Sequence, residues 1–205
     1  MKIGIASYGM GNLASVSRAI ETIGYSPFIA DYPADLRQAS RIILPGVGAF
    51  AEGMDRLDRG GWSDEIRRLV KEGGRPLLGI CLGMQFLADR GSEGGEREGL
   101  GFVPGEIVHL AEFGCAERIP HVGWNEMRLV RGDPLFETIP DRTDFYFVHS
   151  YAFRVAREAD LIGAVGYGCD LAAVVRRDNV WGTQFHPEKS SKAGLQLLRN
   201  FIERS

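Results

Sequence analysis

The stretch Pro76-Leu77-Leu78-Gly79-Ile80-Cys81-Leu82-Gly83-Met84-Gln85 decides the fold. Pro76–Ile80 is a short apolar run of the kind that forms a strand buried on both faces. Leu82–Arg90 follows with helical spacing, and only Cys81 separates the two. A strand that passes straight into a helix is a unit of a parallel sheet. Outward from it the same alternation recurs. Lys2–Ser7 reads as a strand and Asn12–Ile23 as a helix, with Leu13, Val16, Ala19, Ile20 and Ile23 on one face and Gly24 at its end. Ser26–Ala30 and Arg41–Leu44 are further strands. Met54–Lys71 is helical with an interruption at Gly60-Gly61. Ser92–Gly101 is a charged, glycine-rich loop.

Beyond it the texture changes. Gly105–Leu110, Arg118–Pro120, Phe145–Val148, Leu161–Val165, Leu171–Val175 and Val180–Gln184 are short β-like runs between turn residues. Ser191–Ile202 closes the chain as an amphipathic helix with Leu195, Leu198, Phe201 and Ile202 as its stripe. The predicted fold is α/β: a doubly wound, mostly parallel central sheet with flanking helices and appended antiparallel strands. No repeat and no linker interrupts it, so residues 1–205 are expected to form a single domain.

Composition excludes several classes. The 205 residues are 44% hydrophobic and 25% charged, with a formal net charge of −3. That balance points neither to nucleic acid nor to an anionic membrane surface. The longest uncharged run, Ile3–Ser17, is broken by Gly, Ser and Asn and is too short to span a bilayer. Met1-Lys2 lead directly into Ile3-Gly4-Ile5, so no signal peptide is read and a cytoplasmic location is expected. The three cysteines, Cys81, Cys115 and Cys169, are an odd number without a CxxC pair. No disulfide and no metal site is expected, and any cysteine role is a thiol role.

Three motifs carry candidate chemistry. Gly79-Ile80-Cys81-Leu82-Gly83 is the nucleophile-elbow pattern G-x-S-x-G with Cys in place of Ser. A sharp turn exposes the thiol at the carboxyl end of the sheet, a helix N-terminus favours thiolate, and the Leu82 N–H faces a developing oxyanion. A buried structural cysteine is the competing account. In Gln184-Phe185-His186-Pro187-Glu188-Lys189-Ser190, an extended backbone puts His186 and Glu188 on one side. One imidazole nitrogen can then be held by the carboxylate while the other meets a nucleophile. Together the two motifs compose a Cys81-His186-Glu188 triad. Third, Pro45-Gly46-Val47-Gly48-Ala49-Phe50 leaves its strand beside the elbow, where glycines let an N–H turn inward as a second oxyanion donor.

A fourth segment competes. Gly9-Met10-Gly11-Asn12-Leu13-Ala14 fits G-x-G-x-x-G/A after the first strand, with Asp31 about 20 residues on. Alone it suggests an NAD-binding oxidoreductase; the alternative is a tight turn packing the first helix on the sheet.

The segments Gly79–Gln85 and Gln184–Ser190 resemble the class I (triad) glutamine amidotransferases. Tyr8–Leu13, Leu44–Phe50, Gly99–Gly105, Pro120-His121-Val122-Gly123-Trp124-Asn125, Tyr146-Phe147-Val148-His149-Ser150-Tyr151 and Gly194–Leu198 are most similar to the branch that supplies ammonia for imidazole glycerol phosphate synthesis in histidine biosynthesis. Other triad branches share the first two motifs and remain the alternative. The chain departs from the family at Ser7, where an acid usually precedes the tyrosine.

The resemblance implies a flavodoxin-like fold and a glutaminase needing no metal or organic cofactor. Cys81 attacks the glutamine side-chain amide, His186 shuttles protons, and Glu188 orients His186. Val47, Gly48 and Leu82 form the oxyanion hole, with Val47 a switch. Gly46, Gln85 and the Ser150-Tyr151 backbone bind glutamine. The implied partner is a (β/α)₈-barrel cyclase in a heterodimer, docked at Trp124, Asn125, Tyr146 and Lys189. Ordinary core packing is the competing account of Trp124 and Tyr146.

Overall fold

A computed structural model describes residues 1–205. In chain order the elements are β1 (Ile3–Ala6), α1 (Leu13–Thr22), β2 (Pro27–Ala30), β3 (Arg41–Gly46), α2 (Phe50–Arg59), α3 (Trp62–Arg67), β4 (Leu77–Cys81), α4 (Leu82–Gln85), β5 (Arg90–Gly91), β6 (Arg97–Glu98), β7 (Gly105–His109), β8 (His121–Leu129), β9 (Thr143–His149), β10 (Tyr151–Val155), β11 (Leu161–Gly166), β12 (Asp170–Arg177), β13 (Val180–Thr183) and α5 (Ser191–Arg204).

Nine strands form the main sheet in the order β2-β1-β3-β4-β13-β12-β11-β8-β9. The first five are parallel and the last four run antiparallel. This is the doubly wound sheet with appended antiparallel strands that the sequence predicts. A second sheet, β10-β7-β5-β6, has four strands. The chain passes from one sheet to the other at Ser150, between β9 and β10.

Side-chain alternation explains the two layers. Ile3, Ile5, Ile43, Leu78 and Ile80 face one core, closed by Val16, Ala19 and Ile20 of α1 and Leu197, Leu198 and Phe201 of α5. Ala6, Ile42, Leu44 and Leu77 face the other, under Met54 and Leu57 of α2 and Ile66 of α3. Strands buried on both faces read as continuous apolar runs, as Leu77–Ile80 does. No helix is long and apolar enough to cross a membrane.

Four expectations need correction. The helix expected over Leu82–Arg90 stops at Gln85. The carbonyls of Phe86, Leu87 and Ala88 instead accept N–H groups of Leu100, Phe102, Val103 and Gly101 at 2.7–3.0 Å, so the chain leaves the helix to serve a distant segment. Arg118–Pro120 is not a strand; it leads into β8, which starts at His121. The loop over Ser92–Gly101 contains the short β6. Finally, Cys115 and Cys169 form a disulfide, 54 residues apart with Cα atoms 5.2 Å apart. It joins the segment before β8 to the β11–β12 turn, a neighbourhood set by topology rather than by spacing. Cys81 is the free thiol.

Candidate active site

The register of the central strands assembles the site. Gly46 pairs with Cys81 across β3 and β4, and Thr183 with Ile80 across β13 and β4. The Gly46–Gly48 loop, the cysteine and the His186 segment therefore leave the carboxyl edge of three adjacent parallel strands, where open α/β sheets place their ligands.

Cys81 sits at φ 56° and ψ −112°, a positive φ that a non-glycine residue adopts at an energetic cost. The turn is tight enough to require its two glycines. A Cβ on Gly79 would stand 2.4 Å from the Gly83 carbonyl oxygen, and one on Gly83 would stand 1.8 Å from that of Leu44. The following helix has a single turn, so its dipole contributes less to the thiol than the longer helix expected from the sequence. The groups around the sulfur matter more. The Gln184 Nε2 amide lies 3.8 Å from Sγ, and the thiol points at the Val148 carbonyl at 3.9 Å.

His186 Nδ1 donates to Glu188 Oε1 at 2.8 Å, and both side chains are buried. This leaves Nε2 buried without a hydrogen-bond partner, on the side of Cys81. Burial works against an imidazolium here. Cys81 and Glu188 outweigh it and hold the His186 pKa well above the usual imidazole range. A ring that keeps its proton here has one to give to a leaving group. The segment is anchored through backbone. His186 N–H donates to the Tyr146 carbonyl at 2.9 Å, while the Ser190 hydroxyl accepts from Tyr146 N–H at 3.0 Å and donates to the His186 carbonyl at 2.6 Å.

A cleft of about 230 Å³ opens over Cys81 and His186, lined also by Val47, Gly48, Gln85, Ser150, Tyr151 and Lys189. A larger surface cleft, of about 650 Å³ at Lys71 and Phe102, holds neither a cysteine nor a histidine. Gly46 is buried just beneath the cleft. Gly48 adopts φ +104°, and Val47 stands exposed between the two glycines. Gln85 Nε2 donates to the Tyr151 carbonyl at 3.1 Å and to Gln184 Oε1 at 3.2 Å. The structure thus brings together the sequence-predicted triad, oxyanion and glutamine-binding residues.

The four residues assigned to a partner surface are not all on one face. Trp124 pairs with Tyr146 and Val122 with Val148 across β8 and β9. Val122, Trp124, Tyr146 and Val148 point outward, with Trp124 54% and Val122 55% exposed, and Lys189 Nζ lies 5.8 Å from the Tyr146 ring centre. Asn125 points to the opposite face, where its amide meets His121 and the Gly166 carbonyl. Trp124 is therefore not a core residue.

Sequence reasoning missed Glu93, His149, Val148 and Gln184. Glu93 lines the cleft, and its carboxylate accepts from Phe50 N–H at 3.2 Å while burial raises its pKa. It sits in a stretch with several acids, and no local signal distinguishes it. His149 and Gln184 lie inside quoted motifs, but their roles depend on contacts between strands. The competing glycine turn, Gly9–Ala14, is occupied by packing. Gly11 lies against Pro45, the Gly9 carbonyl accepts from Arg56 at 3.3 Å, and Asn12 caps α1 through Ser15 N–H at 3.2 Å.

Residues 7–204 match the glutamine amidotransferase class-I family. The chain belongs to that family. Among curated relatives, the imidazole glycerol phosphate synthase subunit HisH of Desulfitobacterium hafniense is 48% identical, over 97% of this chain and 92% of its own. The HisH subunit of Moorella thermoacetica is also 48% identical, over 98% and 94%. HisH 1 of Campylobacter jejuni is 44% identical, over 97% and 98%. A crystal structure of a glutamine amidotransferase superposes with TM-score 0.77 at 22% identity, covering 98% of this chain and 97% of the other, which shows the shared fold.

Proposed function

We propose that this chain is the glutaminase subunit of imidazole glycerol phosphate synthase and acts as one domain in the cytoplasm. The observation that carries the proposal is the buried His186–Glu188 pair, whose free Nε2 faces a strained Cys81 in a cleft of amino-acid size. The thiolate attacks the side-chain amide carbon of glutamine. Negative charge collects on the amide oxygen, beside the N–H groups of Leu82 and of the Val47-Gly48 loop. His186 gives its proton to the leaving nitrogen, the C–N bond breaks, and ammonia departs, leaving a thioester on Cys81. His186 then takes a proton from water as it attacks the thioester carbon. The C–S bond breaks, and glutamate leaves. Glu188 holds the ring and offsets its charge throughout.

The remaining side chains fit an α-amino acid. Gly46, Gln85 and the Ser150-Tyr151 backbone frame the substrate, and the Glu93 carboxylate is the natural counter-ion for its ammonium group. The patch of Val122, Trp124, Tyr146 and Val148 supports docking of a second subunit over the cleft mouth, with Lys189 at its rim. That partner is a (β/α)₈-barrel cyclase. It uses the ammonia to make imidazole glycerol phosphate and the aminoimidazole carboxamide ribotide.

A glutaminase assay with and without the cyclase and its nucleotide tests this. Slow hydrolysis by the isolated chain, faster hydrolysis in the complex and loss of both in Cys81→Ala are expected. A diazo-oxo norleucine adduct should map to Cys81. An adduct on Cys115 or Cys169, or full-rate hydrolysis with no binding to the cyclase, would overturn the proposal.

A further inference from the structure

Behind the cleft runs a chain of side-chain hydrogen bonds whose direction is fixed at every link. The Tyr151 carbonyl can only accept, so the His149 Nδ1 lying 2.9 Å from it carries a proton. In a neutral ring His149 Nε2 is then an acceptor, and His121 Nδ1, at 2.9 Å, must donate to it. That leaves His121 Nε2 as an acceptor, which the Asn125 amide fills at 3.2 Å. The orientation of Asn125 is set independently. Its oxygen accepts from Glu126 N–H at 2.9 Å, and its nitrogen also donates to the Gly166 carbonyl at 2.9 Å.

The surroundings hold both rings neutral and still. His121 is stacked between Phe147 and Tyr167, with centroids 4.8 and 4.0 Å away. The Tyr167 hydroxyl donates to the Arg118 carbonyl at 2.6 Å, and the Cys115–Cys169 bond closes the same corner. His121 and His149 are 2% and 6% exposed. Burial lowers their pKa values to about 4 and about 3, so neither carries charge at neutral pH. The chain ends at the Tyr151 carbonyl, which also accepts Gln85 Nε2 at 3.1 Å from the cleft side. Both lone pairs of that oxygen are therefore used, one from behind the cleft and one from within it.

We propose that His121 and His149 are positioning residues of the glutamine site, fixing the Ser150-Tyr151 corner against which the substrate binds. This rests on the glutaminase reading above. The corner is where the backbone leaves β9 for β10; the Ser150 carbonyl accepts from Leu110 N–H at 2.9 Å, and past it the Tyr151 carbonyl is turned toward the cleft, where side chains reach it. The relay adds a side-chain restraint at the Tyr151 carbonyl, and through Gln85 and Gln184 it is continuous with the sulfur of Cys81. Neither histidine exchanges a proton with the substrate.

The test uses the full chain with its partner subunit, measuring KM and kcat for glutamine and the rate at which iodoacetamide alkylates Cys81. His149→Leu and His121→Leu should each raise KM about tenfold, the factor that one lost hydrogen bond produces. The alkylation rate should hold, because iodoacetamide lacks the α-carboxylate and α-ammonium groups. His149→Asn places an amide N–H where Nδ1 stood and should recover most of the loss. The double leucine variant should be no worse than the more impaired single, as members of one relay are not additive. A KM unchanged in both Asn and Leu variants, an equal fall in alkylation, or additive losses would overturn the proposal. Wild-type protein that fails to hydrolyse glutamine would instead overturn the glutaminase reading.

Discussion

Substituting Gly83 by alanine should damage both folding and chemistry, and the structure gives the scale. The new Cβ would lie 1.8 Å from the Leu44 carbonyl oxygen and 2.8 Å from its carbon. Both atoms belong to the central strand β3, so no flexible side chain can yield. Ordinary contact begins near 3.4 Å, so α4 and β3 must part by about 1.6 Å. Overpacking of this kind costs roughly 1–3 kcal/mol. At about 2–4 °C per kcal/mol for a chain of this size, the melting temperature should fall by about 2–12 °C. The displacement also carries Leu82 N–H and Cys81 away from the Gly46 loop. Misplacement of about 1 Å can cost on the order of 10²-fold in rate. Thermal melts and glutaminase assays of Gly83→Ala measure the two effects. Gly132→Ala, with open space at its Cβ and no positive φ, is the control that should change neither. A Gly83→Ala protein with wild-type melting and turnover would refute the elbow geometry.

His186→Asn should stop turnover almost completely, and Glu188→Gln should slow it by less, within the roughly 10²–10⁴-fold range of general acid–base contributions; steady-state kinetics of the complex read both. Trp124→Ala should leave the melt of the isolated chain unchanged, because the ring is 54% exposed. It should weaken binding to the partner by about 2 kcal/mol if the ring is an interface anchor, measurable by titration calorimetry. Arg37 and Arg68 hold the Glu65 carboxyl down to about 2, so its contribution to stability is fully present above the usual carboxylate pKa and is lost as pH falls toward 2. Denaturant melts between pH 5 and 2 should therefore fall less steeply for Glu65→Gln than for wild type.

The parallel half of the fold was legible because its strands are buried on both faces. Leu77–Ile80 and Ile42–Leu44 present unbroken apolar runs that have no other stable setting. Cys81, His186 and Glu188 were legible as candidates because a nucleophile turn needs glycines within one or two residues of it and the acid lies two positions after the histidine; the extended backbone expected there is instead a 3-10 turn over Pro187–Lys189, which returns Glu188 Oε1 to His186 Nδ1 at 2.8 Å. Strand β8 was hidden by an inverted pattern. Its inward side chains include His121 and Asn125, and its outward ones Val122 and Trp124, the reverse of a strand with one wet face. Inside, His121 and Asn125 are used in the hydrogen-bond relay; outside, Val122 and Trp124 make an exposed apolar patch with Tyr146 and Val148. The length of α4 and the start of α2 were hidden for another reason. The first depends on N–H groups from Leu100–Val103, the second on Glu93, whose carboxylate and carbonyl accept from Phe50 and Ala51 N–H groups. Bonds to segments a dozen or more residues away in sequence leave no local trace. The same holds for Cys115 and Cys169, which meet only after β8, β11 and β12 are aligned.

The anchoring of the His186 segment has a consequence for solubility. Strand β9 is one of the two edge strands of the nine, with β2 the other, and an edge strand offers unpaired N–H and C=O groups to any other extended chain. On β9 the outward backbone groups of Tyr146 are already taken, by His186 N–H and the Ser190 hydroxyl. The segment that carries His186 thus also caps this edge at Tyr146 against pairing with another chain. Loosening it, for instance by Ser190→Ala, should expose the Tyr146 amide beside an apolar surface of Val122, Trp124 and Val148. Such a protein would self-associate through β9 before it unfolded, and a bound partner subunit would suppress that association by covering the same surface.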